Sequence, residues 1–178
     1  QIADFLCELD CKGIILSGGG EPLLHPRFIQ ALNLFKQKGL KIGLNTNGLA
    51  LDQAKAEAIV KDCEYCRISL DCGDAELYRQ THGMDEKARS IVLKNIRLLA
   101  SIKQQTGSCL SLGTGFLTNQ KTVSQMESFV ELSKECGADF AQFRPFQKDI
   151  TNIPSEYERL KKKHEDEGFR VLASLQKY

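Results

Sequence analysis

Residues 13–26 read GIILSGGGEPLLHP. Gly13-Ile14-Ile15-Leu16 is a short apolar run of the kind that forms a buried strand. The residues after Leu16 decide how the strand ends. One glycine suffices for a tight turn, yet Gly18-Gly19-Gly20 precedes Glu21-Pro22. Three residues without a Cβ let the main chain come close to another molecule. Phosphate is the first candidate, because glycine-rich loops and helix N-termini cradle anions. Glu21 would repel it, however, no Lys-Ser/Thr pair comes after it, and the spacing G-x-G-x-x-G is absent. A carboxylate beside bare carbonyls suits an ammonium group better, since both accept its hydrogens.

The same punctuation recurs along the chain. Gly13–Ser17, Leu40–Asn45, Cys66–Asp71, Cys109–Leu117, Asp139–Arg144 and Phe169–Leu175 read as strands bounded by turn residues. Helical stripes lie between them: Phe28, Ala31, Leu32 and Phe35; then Ala88, Val92, Ile96, Leu99 and Ile102; then Val123, Met126, Phe129 and Val130. Lys38-Gly39 and Cys136-Gly137 place a glycine just past a helix. Regular alternation of strand and helix predicts an α/β fold, with a parallel sheet covered by helices. No linker or low-complexity tract interrupts residues 1–178, so a single domain is expected.

In parallel sheets, open or closed into a barrel, ligands bind at the carboxyl ends of the strands. Those ends are polar here: Ser17 to Pro22, then Asn45-Thr46-Asn47-Gly48, then Ser69-Leu70-Asp71-Cys72-Gly73, then Thr118-Asn119, then Arg144-Pro145. Strand alternation predicts that Asn45 and Asn47 share a face, as do Ser69 and Asp71.

Composition narrows the classes. An apolar fraction of 42% supports a core, and a net charge of +1 gives no footprint for nucleic acid or an anionic membrane. No apolar run approaches a membrane span, and no signal segment opens the chain, so a cytoplasmic protein is expected. The first residue is Gln1, and Ile2, Phe5, Leu6 and Leu9 read as a helix entered partway. We expect an excerpt of a longer protein. Seven cysteines cannot all pair. Only Cys63-Glu-Tyr-Cys66 has ligand-like spacing, without a second pair, and both are expected to be packed thiols.

Three stretches together carry a resemblance: Gly19-Gly20-Glu21-Pro22-Leu23-Leu24-His25-Pro26, Thr46-Asn47-Gly48 and Ile68-Ser69-Leu70-Asp71. Their order and spacing are similar to those of radical S-adenosylmethionine (radical SAM) enzymes, especially peptide- and metabolite-modifying members with a SPASM-type extension. The resemblance implies a partial (β/α)6 TIM-like barrel, incomplete at both ends. It implies S-adenosylmethionine bound by Gly19, Gly20, Glu21 and Pro22 at its amino group. Ser69 and Asp71 would meet ribose or carboxylate, Asn47 would lie at the same rim, and Asn119 and the backbone near Phe143 would lie by the adenine. Arg144 would serve a carboxylate or the substrate. A 4Fe–4S cluster, an electron donor such as a flavodoxin or ferredoxin, and a 5′-deoxyadenosyl radical acting on a peptide or small metabolite complete the implied chemistry. The family's Cys-x3-Cys-x2-Cys loop is not in this stretch. Cys7 and Cys11 have the first spacing, but position 14 is Ile14. No metal ligands are expected within residues 1–178; they are expected upstream.

Plainer roles stand beside these. His25-Pro26 is expected to cap the next helix, with Pro26 near its first position. His82-Gly83 is expected to be a loop and His164 a surface residue. Cys72 is expected to be a small packing residue rather than a hydrogen-atom donor, and Asp71 could instead orient its loop. Two other readings of the whole remain open: a barrel that binds a peptide or partner protein without chemistry, and an unrelated α/β enzyme binding an amino acid or nucleotide.

Overall fold

The computed structural model describes residues 2–145 and 153–174. Gln1, residues 146–152 and residues 175–178, among them Leu175, expected to end the last strand, lie outside the described residues. Within them the chain runs α1 (Ile2–Glu8), β1 (Gly13–Leu16), α2 (Phe28–Gln37), β2 (Lys41–Thr46), α3 (Gln53–Asp62), β3 (Tyr65–Ser69), α4 (Ala75–His82), α5 (Glu86–Thr106), β4 (Ser111–Thr118), α6 (Met126–Glu135), β5 (Phe140–Pro145), α7 (Ile153–His164) and β6 (Arg170–Ala173). Short 3-10 turns at Pro22–Leu24 and Val123–Gln125 precede α2 and α6. All six expected strands are present, with ends shifted by up to two residues.

The strands pair in sequence order, β1-β2-β3-β4-β5-β6, and every pair is parallel. This open arc is a partial TIM-like barrel. Outward positions pack under the helices: Ile42, Leu44, Cys66, Ile68, Leu112, Phe116, Ala141, Phe143 and Val171 are buried. Against them lie the foreseen helix faces, Phe28 and Leu32 of α2, Val92, Ile96, Leu99 and Ile102 of α5, and Met126, Phe129 and Val130 of α6. Phe116, Phe129 and Phe143 form an aromatic cluster with centroids 4.7–5.8 Å apart, offset as ring quadrupoles favour.

Local chemistry sets the helix limits. Asp52, Asp74 and Asp85 accept hydrogen bonds from Lys55, Leu77 and Ala88 N at the starts of α3, α4 and α5, each such cap being worth about 1 kcal/mol. Glycines at 39 and 137 come directly after α2 and α6 as foreseen. The stripe expected on the first helix is not covered: Ile2, Phe5 and Leu9 are exposed, and Ala3 is the buried residue of α1.

Candidate functional site at the carboxyl ends of the strands

The glycine loop leaves β1 at Leu16. Gly18 has φ +135°, a conformation that side chains disfavour. Gly19 and Gly20 differ. Neither has a positive φ, and a Cβ built on either would meet nothing within 4 Å. Neither the backbone nor the packing of the described residues therefore requires glycine at 19 or 20. Residues 17–20 make no backbone–backbone hydrogen bond outside regular elements among the described residues. The loop presents bare main chain to open space.

Glu21 closes the loop. Its Oε1 accepts from Leu23 N at 3.1 Å and Thr46 Oγ1 at 2.5 Å, and Oε2 accepts from Asn47 N at 2.8 Å. Pro22, with no N–H to satisfy, opens the 3-10 turn. One carboxylate thus ties β1's exit to β2's, and one lone-pair position on Oε2 remains for a ligand. The expectation that Glu21 serves an ammonium alone omitted these ties. Thr46 Oγ1 also accepts from Gly48 N at 3.0 Å, and Asn95 of α5 donates to Gly48 O at 2.7 Å. Asn47 spends Oδ1 on Leu49 N.

At β3 the expected alternation fails. The strand ends at Ser69, and Asp71 beyond it has φ +49°. The Asp71 carboxylate is buried, and Oδ1 accepts from Leu117 N at 2.6 Å. Burial pushes this carboxyl up from its ordinary value, against the pull of Leu117 N and His82. Asp71 therefore ties the β3 exit to β4, whereas the half-buried Ser69 makes no side-chain hydrogen bond among the described residues. The expected shared face of Asn45 and Asn47 likewise stops at Thr46, where β2 ends. Asn45 faces inward and accepts from Tyr65 OH at 3.2 Å.

After β4, Asn119 folds its own loop: Oδ1 accepts from Lys121 N and Thr122 N at 2.8 and 3.1 Å. Arg144, beside Leu117 across the β4–β5 pair, gives its carbonyl to Thr118 Oγ1 at 3.0 Å. The rim so brings Gly19, Gly20, Glu21, Pro22 and Asn47 together at one end and Asp71, Asn119 and Arg144 towards the other, with Ser69 between. Three strand spacings, about 14 Å, separate β1 from β4, which suits an elongated ligand rather than a compact one.

Several side chains sit elsewhere than expected. Pro26 lies in the turn before α2, not in its first turn, and His25 Nδ1 accepts from Arg27 N. His82 ends α4 rather than lying in a loop. Its ring stacks on Tyr78, and Nε2 sits 3.2 Å from Leu70 O and 3.6 Å from Asp71 Oδ2. His164 is not a free surface residue: its side chain is 12% exposed and meets Glu127 at 3.4 Å. Cys63, Cys66 and Cys72 are buried thiols, and burial pushes Cys63 and Cys72 up to about 12, which marks them as inert packing residues. Sequence reasoning missed Thr46, Arg67, Asn95 and Gln142. Alternation back from Ser69 through Arg67 to Tyr65 was the signal that could have found Arg67.

The residues fit the two groups of the implied chemistry unequally. Bare main chain at Gly19 and Gly20, the spare acceptor on Glu21 and the free Ser69 hydroxyl match an amino acid joined to a nucleoside. The one grouping with single-ion ligand spacing among the described residues is Glu127, Glu131 and His164, and its Glu127 already pairs with Arg159 and Lys163. No described helix is long and apolar enough to cross a membrane.

The fold is a parallel α/β barrel segment with a polar rim at its strand ends. The chain belongs to the radical SAM superfamily, whose family model matches residues 1–131. It is 24% identical over 132 residues to the tungsten-containing aldehyde ferredoxin oxidoreductase cofactor-modifying protein of Pyrococcus furiosus, covering 73% of this chain and 36% of that one. A domain of the pyruvate-formate lyase-activating enzyme from Bacteroides vulgatus superposes with a TM-score of 0.70 at 19% identity, over 91% of this chain and 98% of that one. SuiB of Streptococcus suis bound to its precursor peptide SuiA gives 0.67 at 14% identity, over 91% and 37%. The enzyme anSMEcpe with bound AdoMet gives 0.66 at 18%, over 97% and 53%. The chain thus spans little more than a third of the Pyrococcus protein and of SuiB.

Proposed function

We propose that residues 1–178 are the S-adenosylmethionine-binding core domain of a SPASM-type radical enzyme that takes a hydrogen atom from a peptide or small metabolite. The observation that carries this is the pair Gly19 and Gly20, glycines that nothing in the described chain requires. A ligand pressed against the loop supplies the requirement. Two structurally similar proteins have been solved with peptides bound, SuiB with SuiA and anSMEcpe with the Kp18Cys peptide, and this favours a peptide substrate here.

When bound and reduced, S-adenosylmethionine would supply the hydrogen-abstracting radical, its electron coming through the iron–sulfur cluster that the family implies. The chain's own residues bind and orient it. Gly19 and Gly20 offer carbonyls to the amino group, and Glu21, fixed by three hydrogen bonds, contributes charge. Ser69 bonds ribose or carboxylate, and Asn119 lines the far end. Asp71 acts through the backbone of Leu117, holding the β3 and β4 exits in register.

Gly19→Ala in the anaerobically purified, cluster-loaded full-length protein tests the reading. The variant should fold as the wild type does, within about 0.5 kcal/mol, yet bind S-adenosylmethionine at least about tenfold more weakly by equilibrium dialysis. Formation of 5′-deoxyadenosine with dithionite should fall in parallel. Unchanged affinity in the variant refutes the placement. A cluster-loaded wild type that neither binds S-adenosylmethionine nor yields 5′-deoxyadenosine refutes the enzyme and favours a barrel that only binds a peptide.

A further inference from the structure

Behind the rim the inward face of the sheet carries a charge that the cofactor reading does not use. Alternation sets Ile15, Gly43, Asn45, Tyr65, Arg67, Ser69, Gly113, Gly115, Leu117, Phe140, Gln142 and Arg144 on that face. None of these positions is acidic, and Arg67 and Arg144 are both cationic. A concavity of about 550 Å³ opens on one side of Arg67, lined also by Asn45, Tyr65, Lys41 and Glu64, the last paired with Lys36; Gln142 and Arg144 lie outside it.

Arg67 is 8% exposed. Its side chain crosses β4 at Gly115, where a Cβ would stand 3.4 Å from Arg67 Cδ, and Nη1 donates to Gln142 Oε1 at 2.5 Å. Arg144 lies two residues beyond Gln142 on the same face of β5. Nε of both arginines is sealed from water without a hydrogen-bond partner. Neither guanidinium has a carboxylate within ion-pair distance among the described residues. Asp71, the acid nearest in charge effect, is committed to Leu117 N. Burial and the neighbouring Arg144 both disfavour the Arg67 cation, while Tyr65 and Asp71 favour it less strongly than burial opposes it. The buried guanidinium of Arg67 and the half-buried one of Arg144, neither neutralised among the described residues, are costly in a folded chain, and an anion between them relieves both desolvation and mutual repulsion.

We propose that Arg67 and Arg144, with Gln142 orienting Arg67, form a substrate subsite that binds a free carboxylate, either an acidic side chain or a chain terminus. This rests on the radical-enzyme reading above. The bond to Gln142 occupies Nη1 of Arg67 and Nε is sealed, which leaves Nη2, without a partner among the described residues, to donate to a carboxylate. The position separates this anion from the cofactor's own carboxylate: Arg67 leaves its strand two residues, about 7 Å, below Ser69 and the rim.

The test uses the cluster-loaded full-length protein and measures two affinities in each preparation, one for S-adenosylmethionine and one for N-acetylglutamate. N-acetylglutamine and inorganic phosphate serve as comparison ligands. The wild type should bind N-acetylglutamate at least tenfold more tightly than either comparison ligand. Arg67→Gln should lose that preference and keep its affinity for S-adenosylmethionine within twofold. Gln142→Glu, which offers Arg67 an internal carboxylate of nearly unchanged shape, should also abolish the preference while raising the thermal midpoint. That variant decides the matter if Arg67→Gln does not fold. Equal binding of the glutamate and glutamine compounds, tighter binding of phosphate, or an undiminished preference in Gln142→Glu would overturn the subsite. Equal weakening of S-adenosylmethionine in Arg67→Gln would assign the arginine to the cofactor's carboxylate instead. A wild type that prefers N-acetylglutamate yet binds no S-adenosylmethionine keeps the subsite and removes the radical-enzyme reading.

Discussion

Thr46→Val removes one hydroxyl that serves two strand exits. Thr46 is 4% exposed; its Oγ1 donates to Glu21 Oε1 at 2.5 Å and accepts from Gly48 N at 3.0 Å. Valine keeps the shape and loses both bonds. A hydrogen bond to a charged acceptor is worth about 1.5–3 kcal/mol, and a buried N–H left without a partner costs about 1–3 kcal/mol. The apolar gain of an extra buried methyl returns about 1 kcal/mol. The net loss is about 3 kcal/mol, a fall in thermal midpoint of about 6–12 °C for a unit of this size. Thr46→Ser keeps the hydroxyl and drops only a methyl, so it should lose about 1 kcal/mol. Hydrogen exchange locates the effect: the Asn47 and Gly48 amides should exchange about a hundredfold faster in the valine variant, each tenfold step being about 1.4 kcal/mol. A valine variant that loses under about 1 kcal/mol, or a serine variant that loses as much as valine, would refute the account of Glu21 as a tie between β1 and β2.

Gly113→Ala should destabilise by about 2–3 kcal/mol, because its Cβ would stand 2.1 Å from the Phe140 ring. Adding Phe140→Leu should recover part of this loss in urea unfolding, and strictly additive losses would show that the ring is not the obstacle. Asp71→Asn should keep the bond from Leu117 N while removing a buried charge. Since burial raises the Asp71 carboxyl above its ordinary 3.8, the folded chain binds the proton more tightly than the unfolded one. Wild-type stability then declines as pH rises from about 3.8 through the folded value. The asparagine variant should accordingly be the more stable near neutral pH, with the difference closing towards about pH 3. A wild type more stable than the variant at neutral pH would refute this sign.

The sequence alone determined the alternation of six strands with helices, because each strand is a short apolar run closed by turn residues and each helix a stripe with period 3.6. It also placed the polar residues at the strand ends, since a parallel sheet puts all carboxyl ends on one rim. Gly19 and Gly20 were legible because a missing Cβ is itself a sequence fact. What the polar side chains bind was not legible. Glu21 reaches residues 46 and 47, Asp71 reaches 117, and Arg67 reaches 142, and each partner is set by strand register rather than by nearness in the chain. His164 against Glu127 and His82 beneath the Asp71 turn were decided in the same way, by how α7 packs on α6 and how α4 returns to β3. Periodicity fixes which face of its own strand or helix a residue occupies. Only the tertiary structure decides which other element that face meets, and here that meeting made the Glu21 and Asp71 carboxylates ties between strand exits and left two arginines facing inward without an acid within ion-pair distance among the described residues.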